Sequence, residues 1–370
     1  MFRKSLAICM IVKNEEKHLP KTLPSFIKGA DKVIVVDTGS TDSTKKIASA
    51  MGAHVLEFKW INDFSAARNE SLRHAETDWV LWMDADEYMD LEDILALRRF
   101  IDDTDANMIS LQVHECEFAT KGSISFIIRT KAFNNRIGIR FFRPINENPE
   151  LPYGTKKNES SFNLIKIYHW GRTMPKEEML KKNLTRLEMY AKAAEEHKED
   201  PAFLYLLGMR YKDVDKTDEA LRTFDKLVDL CNSNSGLESY WIEGAYTQKA
   251  HIKAGNNDRL GCINDSLCAI AINPDCIEAF CEAAAAYLSE KQFDQARELL
   301  KKIIDRPKTV HPCLGNADVF WDKIRYVYYA NTMLANKEYK ESIPYFEKAL
   351  EYDASDKTLT DMVSLLRQVE

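Results

Sequence analysis

The chain has 370 residues, of which 45% are hydrophobic and 29% are charged, and its formal net charge is −7. This composition indicates a globular protein with room for two sizeable cores. The negative charge argues against general binding to nucleic acid or to an anionic membrane surface, and the sequence has no apolar run near the roughly 18 residues that span a bilayer.

The cysteines indicate the redox environment. Eight occur, without a CxxC pair and without a regular spacing. Such usage favours free thiols in a reducing compartment over a disulfide framework or a zinc site. We therefore expect a soluble, cytoplasmic protein without a membrane span.

Three apolar runs in the first ninety residues each end in polar side chains. They are 7–12 before Lys13-Asn14-Glu15-Glu16, 33–36 before Asp37, and 79–83 before Asp84-Ala85-Asp86. Helical patterns accompany them at Asp42–Met51, which would be the first crossover helix, and at Ser65–His74 and Leu91–Ile101. Less regular strand patterns follow at Met108–Val113 and Ile124–Ile128. Strands alternating with helices predict an α/β domain with a mostly parallel sheet.

The strand that ends in Asp84 and Asp86 is the strongest functional signal. A buried strand that stops in this way places two carboxylates at the edge of the sheet where ligands of open α/β sheets bind. Adjacent hard oxygen ligands suit Mg²⁺ or Mn²⁺ held against a diphosphate.

From about residue 175 the pattern becomes helical and repeats itself. Small residues recur twelve positions apart, as Gly208/Ala220, Ala250/Cys262, Ala284/Ala296 and Ala330/Ser342. Ala250 and Ala284 are 34 residues apart, the length of a tetratricopeptide repeat. Small residues let paired helices approach closely. We predict a first domain over 1–175, a linker helix over 176–200 and three to four helical repeats over 201–370.

Four motifs now carry a family resemblance, at residues 9–16 (CMIVKNEE), 33–44 (VIVVDTGSTDST), 60–69 (WINDFSAARN) and 82–87 (WMDADE). In this order they resemble a family 2 glycosyltransferase with the GT-A fold, in the subgroup with C-terminal tetratricopeptide repeats. That broad group includes the sublancin S-glycosyltransferases. The resemblance implies a Rossmann-like, mostly parallel sheet followed by an all-α repeat domain.

The resemblance also implies the donor and its contacts. It implies a UDP-sugar, with Asn14 and Glu15 bordering the base and Asp37 accepting hydrogen bonds from uracil or ribose. Arg68 would contact the base or a phosphate. For Asp37 the alternative is a helix cap, and for Arg68 it is a surface ion pair.

A divalent ion, Mn²⁺ or Mg²⁺, is implied as well. Asp86 would ligate the ion directly, and Asp84 would contact the ribose or join the metal site. His169 either completes the metal shell or is a packed core residue.

The general base is Glu147 by the same resemblance, since the family often has His-Glu where this chain has Asn146-Glu147. Glu115 and Glu117 are rival candidates for that role.

The resulting hypothesis is a metal-dependent, inverting glycosyltransferase that acts on a peptide, protein or glycan acceptor. The alternatives are an interaction scaffold with a vestigial GT-A domain and a nucleotidyltransferase, although the Gly-rich basic loop typical of the latter is absent from the sequence. The repeats would recruit the acceptor or form a homodimer. Four aromatic residues, if exposed, would form the dimer surface, and repeat packing is their alternative role: Trp321, Tyr326, Tyr328 and Tyr329.

Overall fold

The computed structural model describes residues 3–170, 176–309 and 319–368. The chain divides into two compact units, Met1–Lys181 and Lys182–Glu370. Within the described ranges, no helix is both long and apolar enough to cross a membrane.

The first unit is built on an eight-stranded sheet. Its strands and those of a separate hairpin are β1 Leu6–Val12, β2 Lys32–Asp37, β3 His54–Glu57, β4 Trp79–Asp84, β5 Glu87–Tyr88, β6 Met108–Cys116, β7 Ser123–Asn134, β8 Arg140–Phe142, β9 Asn148–Glu150 and β10 Glu159–His169. The sheet order is β3-β2-β1-β4-β7-β6-β10-β5, and β8 pairs with β9. The first four strands in this order run parallel, as do β6 and β10, whereas β7 is antiparallel to both of its neighbours. The structure confirms the predicted GT-A type of α/β sheet.

Both faces of the central strands are buried. Leu6, Ile8 and Met10 of β1 belong to the core on one face of the sheet. Ala7 and Cys9, which alternate with them, belong to the core on the other face. Successive side chains of a strand point to opposite faces, and a parallel strand covered on both faces is apolar throughout. This is why the run is continuous in the sequence.

The helices of the first unit correct one prediction. They are α1 Leu19–Gly29, α2 Thr44–Ala50, α3 Phe64–Arg73 and α4 Leu91–Asp103. The first crossover helix is therefore α1, and the predicted segment Asp42–Met51 forms the second. Pro24 lies inside α1 and obscures its pattern, because proline in a helix interior removes a hydrogen bond, whereas Pro20 lies in the first turn, where proline is tolerated. Leu19, Leu23 and Phe26 are fully buried and hold the helix in place.

The second unit is all α-helical. Its elements, with α5 leading in, are α5 Lys176–Glu196, α6 Pro201–Asp213, α7 Thr217–Ser233, α8 Tyr240–Gly255, α9 Arg259–Ile272, α10 Ile277–Ser289, α11 Phe293–Lys301, a π-helical turn Phe320–Ile324, α12 Arg325–Ala335, α13 Tyr339–Tyr352 and α14 Lys357–Leu366. The small residues that predicted the repeats are fully buried, at 0% exposure: Ala220, Ala250, Cys262, Ala284, Ala296, Ala330 and Ser342. A Cβ atom on Gly208 would lie 2.6 Å from the Phe224 ring. The predicted repeat domain is confirmed.

The aromatic residues of this unit pack inside it. Trp321 is 1% exposed and Tyr329 is 6% exposed, and both lie in one core with Phe280. Tyr326 and Tyr328 are half-buried against the same core. The condition for a dimer surface made of these four residues, that they be exposed, is not met, and repeat packing is the role that the structure shows for them. The seven cysteines of the described ranges are free thiols.

Candidate functional site

The loops that follow β1 and β2 are tied together at the carboxyl edge of the sheet. Asn14 has a positive φ of 58°, and its side-chain oxygen accepts a hydrogen bond from the Thr41 backbone N–H at 2.8 Å. The backbone N–H of Glu15 donates to Thr44 Oγ1 at 2.7 Å. The Glu15 carboxylate lies 2.7 Å from His18 Nδ1. Asn14 and Glu15 thus lie at the predicted edge, where their side chains shape the loops.

Asp37 ends β2 and is only 2% exposed. Its Oδ1 accepts hydrogen bonds from the backbone N–H groups of Gly39 and Ser40, at 3.0 and 2.9 Å. Its Oδ2 is buried and has no hydrogen-bond partner among the described residues. These capping hydrogen bonds therefore engage only Oδ1 of the Asp37 carboxylate. A buried acceptor without a partner costs free energy, so the second oxygen is suited to a ligand that donates a hydrogen bond.

Arg68 lies in α3, which begins with Asp63 capping the Ala66 N–H at 2.9 Å. Its side chain is buried and bridges two carboxylates. Nη2 donates to Asp84 Oδ1 at 2.6 Å, and Nε donates to Glu147 Oε1 at 2.7 Å. Nη1 is buried without a partner in the described part of the chain. Arg68 is therefore no surface ion pair, and it retains one donor for a ligand.

The loop that carries Glu147 is attached to the start of α3. Ser65 Oγ donates to the Arg143 carbonyl oxygen at 2.6 Å, and the Phe64 N–H donates to the Pro144 carbonyl oxygen at 2.8 Å. These bonds bring Glu147 to Arg68, 79 residues away in sequence. The Glu147 side chain is 12% exposed.

A second buried ion pair lies behind Asp84. Glu87 Oε2 accepts a hydrogen bond from the Asp84 backbone N–H at 2.8 Å. Lys131 Nζ donates to both oxygens of Glu87, at 2.9 and 2.7 Å, and its side chain is fully buried. Burial raises the pKa of Asp84, but the charges of Arg68 and Lys131 outweigh it, so that its pKa lies well below the ordinary value. Asp84 is therefore ionised at neutral pH.

Sequence reasoning missed Glu87 and Lys131 as parts of the site. Glu87 directly follows Asp86 in the matched motif, which was a usable signal. Lys131 lies 44 residues further on, in β7, and no local pattern marks it.

His169 is held between two carboxylates. Its Nε2 lies 3.3 Å from Asp86 Oδ2, and its Nδ1 lies 3.0 Å from Glu115 Oε1. Strand register produces this arrangement, because His169 pairs with Glu115 across β10 and β6. Burial lowers the pKa of His169, and the bonds to Asp86 and Glu115 raise it more strongly, to about 10. Glu117 is exposed in the turn after β6.

The donor set fits a hard divalent cation. Five carboxylates and three basic groups take part in these contacts: Asp84, Asp86, Glu87, Glu115 and Glu147 with Arg68, Lys131 and His169. The carboxylate oxygens and the imidazole nitrogen among these groups are donors that suit Mg²⁺ or Mn²⁺. Within the described ranges, no group of three or more His, Cys, Asp or Glu side chains is arranged as a metal site. Asp86 and His169 would therefore supply part of a coordination shell, and substrate or water the rest.

Comparison with known proteins identifies the domain that carries this site. Residues 7–161 match the model of glycosyl transferase family 2, and residues 329–356 match that of a tetratricopeptide repeat. The N-terminal domain belongs to glycosyl transferase family 2. The second match agrees with the helical repeats described above.

Two curated relatives are similar to this chain over part of their length. A TPR repeat-containing protein of Synechococcus elongatus is 39% identical over 142 residues, covering 38% of this chain and 34% of that protein. The SPbeta prophage-derived glycosyltransferase SunS of Bacillus subtilis is 25% identical over 226 residues, covering 60% of this chain and 52% of that protein. The chain thus spans about a third to about half of these relatives.

Among solved structures, that of S. aureus TarS 1–349 aligns with a TM-score of 0.40 and 15% identity, covering 70% of this chain and 88% of that one. A structural likeness this weak supports no conclusion about the function of this chain.

Proposed function

We propose that the chain is a metal-dependent, inverting glycosyltransferase that transfers a sugar from a UDP-sugar to a peptide, protein or glycan acceptor. One observation carries the proposal beyond the family assignment. Two buried polar atoms of opposite character, the acceptor Asp37 Oδ2 and the donor Arg68 Nη1, have no partner within the described residues. Asp37 ends β2, and Arg68, in α3, binds Asp84 at the end of β4, so both side chains are held at the carboxyl edge of the sheet, where ligands of such sheets bind. A nucleotide diphosphate offers both a donor and an acceptor.

The donor contacts follow from these atoms. Asp37 would accept a hydrogen bond from the ribose or the uracil. Arg68 would donate through Nη1 to a phosphate oxygen, and charge-assisted bonds of this kind are among the strongest in proteins. Asn14 and Glu15 would border the base through the loops that they tie together.

Asp86 and His169, with Asp84 beside them, would hold Mn²⁺ or Mg²⁺. A divalent ion there stabilises the negative charge that develops on a departing diphosphate. Glu115 orients the His169 ring through Nδ1, so that Nε2 points toward Asp86. This is the usual arrangement of a carboxylate behind a ligating histidine.

Glu147 remains the proposed general base. Arg68 donates to its Oε1, which leaves Oε2 as the oxygen that would accept the proton of the acceptor group. The rival Glu115 is engaged with His169, and Glu117 is exposed in a turn. Recruitment of the acceptor or homodimerisation by the repeats, and a cytoplasmic location, stay predictions.

Calorimetric titration with UDP and Mn²⁺ tests the donor site. We expect the wild type to bind and Asp86→Ala to bind at least about tenfold more weakly, because a charged ligand is lost. Asp103→Ala is the matched control, since Asp103 is an exposed carboxylate at the end of α4. Failure of the wild type to bind, or equal binding by Asp86→Ala, would refute the proposal.

Assays of turnover distinguish the glycosyltransferase from the two alternatives, a scaffold with a vestigial domain and a nucleotidyltransferase. Hydrolysis of a UDP-sugar above a metal-free blank is expected of a glycosyltransferase and excludes a vestigial domain. Pyrophosphate release from UTP and a sugar phosphate would instead indicate a nucleotidyltransferase. A screen of several UDP-sugars in the same assay identifies the sugar.

A further inference from the structure

We propose that Glu87 and Lys131 are positioning residues of the donor site, a buried ion pair that sets the backbone and the charge environment of Asp84. The inference rests on the proposed function, because Asp84 matters only if the edge of the sheet binds a nucleotide sugar.

Hydrogen bonds and a cation–π contact hold Glu87 and Lys131 in place. Glu87 accepts the Asp84 backbone N–H through Oε2 and binds Lys131 through both oxygens. The Lys131 ammonium in turn lies 3.6 Å from the centre of the Trp82 ring, a cation–π contact inside the protein. The Glu87 and Lys131 side chains are 4% and 0% exposed. Both side chains are therefore almost completely enclosed by the protein.

The pair also defines the turn that carries both aspartates. The hydrogen bond from the Asp84 backbone N–H to the Glu87 carboxylate joins the first and last residues of the turn 84–87. The Asp86 carbonyl oxygen accepts a hydrogen bond from the Trp170 backbone N–H at 2.8 Å, which attaches the same turn to the residue that follows β10. The backbones of Asp84 and Asp86 are therefore held by contacts additional to those that their carboxylates make with Arg68 and His169.

Stability alone is a poor reason to retain such a pair. Burying two charges is costly, and apolar replacements of similar volume are often neutral or stabilising. The pair lies directly behind the carboxylates of the candidate site, where Glu87 accepts the Asp84 backbone N–H and Lys131 binds Glu87.

Three variants test the proposal: Lys131→Met, Glu87→Gln and the double variant Glu87→Gln/Lys131→Met. We expect both single variants to lose thermal stability, since each leaves a buried charge without its counterion. We expect the double variant to regain most of its Tm, because neither charge remains. Its affinity for UDP with Mn²⁺ should nevertheless stay about tenfold or more below wild type, as one charge-assisted contact is worth about this factor.

Arg98→Met is the matched control for destabilisation. Arg98 is buried and donates to Asp31 at 2.6 Å, at the amino-terminal end of the sheet, where Asp31 also binds the Leu6 N–H. We expect this variant to lose Tm and keep the UDP affinity of the wild type.

The outcomes separate the inference from the proposed function. No UDP binding by the wild type overturns both. Wild-type affinity in the double variant overturns the inference alone, as does a loss of affinity in Arg98→Met equal to that of the pair variants. If the double variant does not regain its Tm, Glu87→Gln decides, measured at a temperature where circular dichroism shows it folded. Wild-type affinity there also overturns the inference.

Discussion

Arg68 is the side chain on which the candidate site converges. It binds Asp84 and Glu147, and its guanidinium carbon lies 4.4 Å from the Trp82 ring centre. Burial lowers its pKa, and the two carboxylates raise it more, so the pKa lies above its ordinary value and the charge is kept. A planar fork can serve two carboxylates and a phosphate at once, which a lysine ammonium cannot do with the same geometry.

Arg68→Lys is expected to keep the positive charge and lose this geometry. We expect UDP affinity to fall by about tenfold or more, because at least one charge-assisted hydrogen bond is lost. Titration calorimetry measures it. Arg99→Lys, at an exposed position of α4, serves as the control and should leave the affinity unchanged. Unchanged affinity in Arg68→Lys would show that a point charge is sufficient.

Asp31 provides a pH-dependent contribution to stability away from the site. Burial is the largest single influence and raises its pKa, but the bonds from the Leu6 N–H and Arg98 and the charges of Arg98 and Arg3 together lower it below the ordinary value of 3.8. A carboxyl group with a lowered pKa contributes stability above its unfolded-state pKa and loses it as the pH falls through its folded-state pKa.

Asp31→Asn should therefore destabilise the first unit at pH 7 and have little effect in acid. We expect a loss of about 1 kcal/mol at neutral pH, modest because the carboxylate is partly exposed. Between pH 7 and an acid pH well below 3.8, the loss should shrink toward zero as the wild-type group takes up its proton in the folded state. Urea unfolding at both pH values measures it. Asp103→Asn, which is exposed, should show no such pH dependence, and a constant loss in Asp31→Asn would contradict the linkage.

At the scale of the elements, the ends of strands were easier to predict than the connections between them. Asp37 and Asp84 end β2 and β4 as expected, because a continuous apolar run that stops at a carboxylate marks a buried strand. The helix α1 was missed because Pro24 interrupts its pattern. Only burial against the sheet outweighs the hydrogen bond that Pro24 removes.

The repeat helices show how a small residue sets the distance between elements. Gly208 in α6 faces Phe224 in α7, with no room for a methyl group. We expect Gly208→Ala to cost about 1–3 kcal/mol by overpacking, which exceeds the gain of about 1 kcal/mol in helix propensity. Gly255→Ala at the end of α8, where nothing lies within 4 Å of the added Cβ, should be neutral or stabilising. Chemical unfolding compares the two, and equal effects would argue against close packing at Gly208.

At the scale of the whole molecule, the chain consists of two compact units of similar size, residues 1–181 and 182–370. The candidate donor site lies entirely in the first unit. A ligand that binds only the native form stabilises it by an amount set by its concentration relative to Kd.

Scanning calorimetry of the full chain is expected to resolve this division. UDP with Mn²⁺ at about 100 times Kd should stabilise the first unit by about 2.7 kcal/mol and leave the second unchanged. Gly208→Ala assigns the transitions, since it should shift only that of the second unit. Equal shifts of both transitions with UDP would mean that the units unfold together. Chelation of the metal should abolish the shift.

The sequence by itself determined the α/β domain, the helical repeats and the carboxylates at the strand ends. These properties depend on local periodicity, which short stretches of chain contain. Tertiary structure alone decided which charges meet. Arg68 reaches Glu147, Lys131 reaches Glu87 and His169 reaches Glu115 through the order β4-β7-β6-β10 and the loop attached to α3. Strand order and register arise from packing over the whole sheet, and no local pattern of residues encodes them.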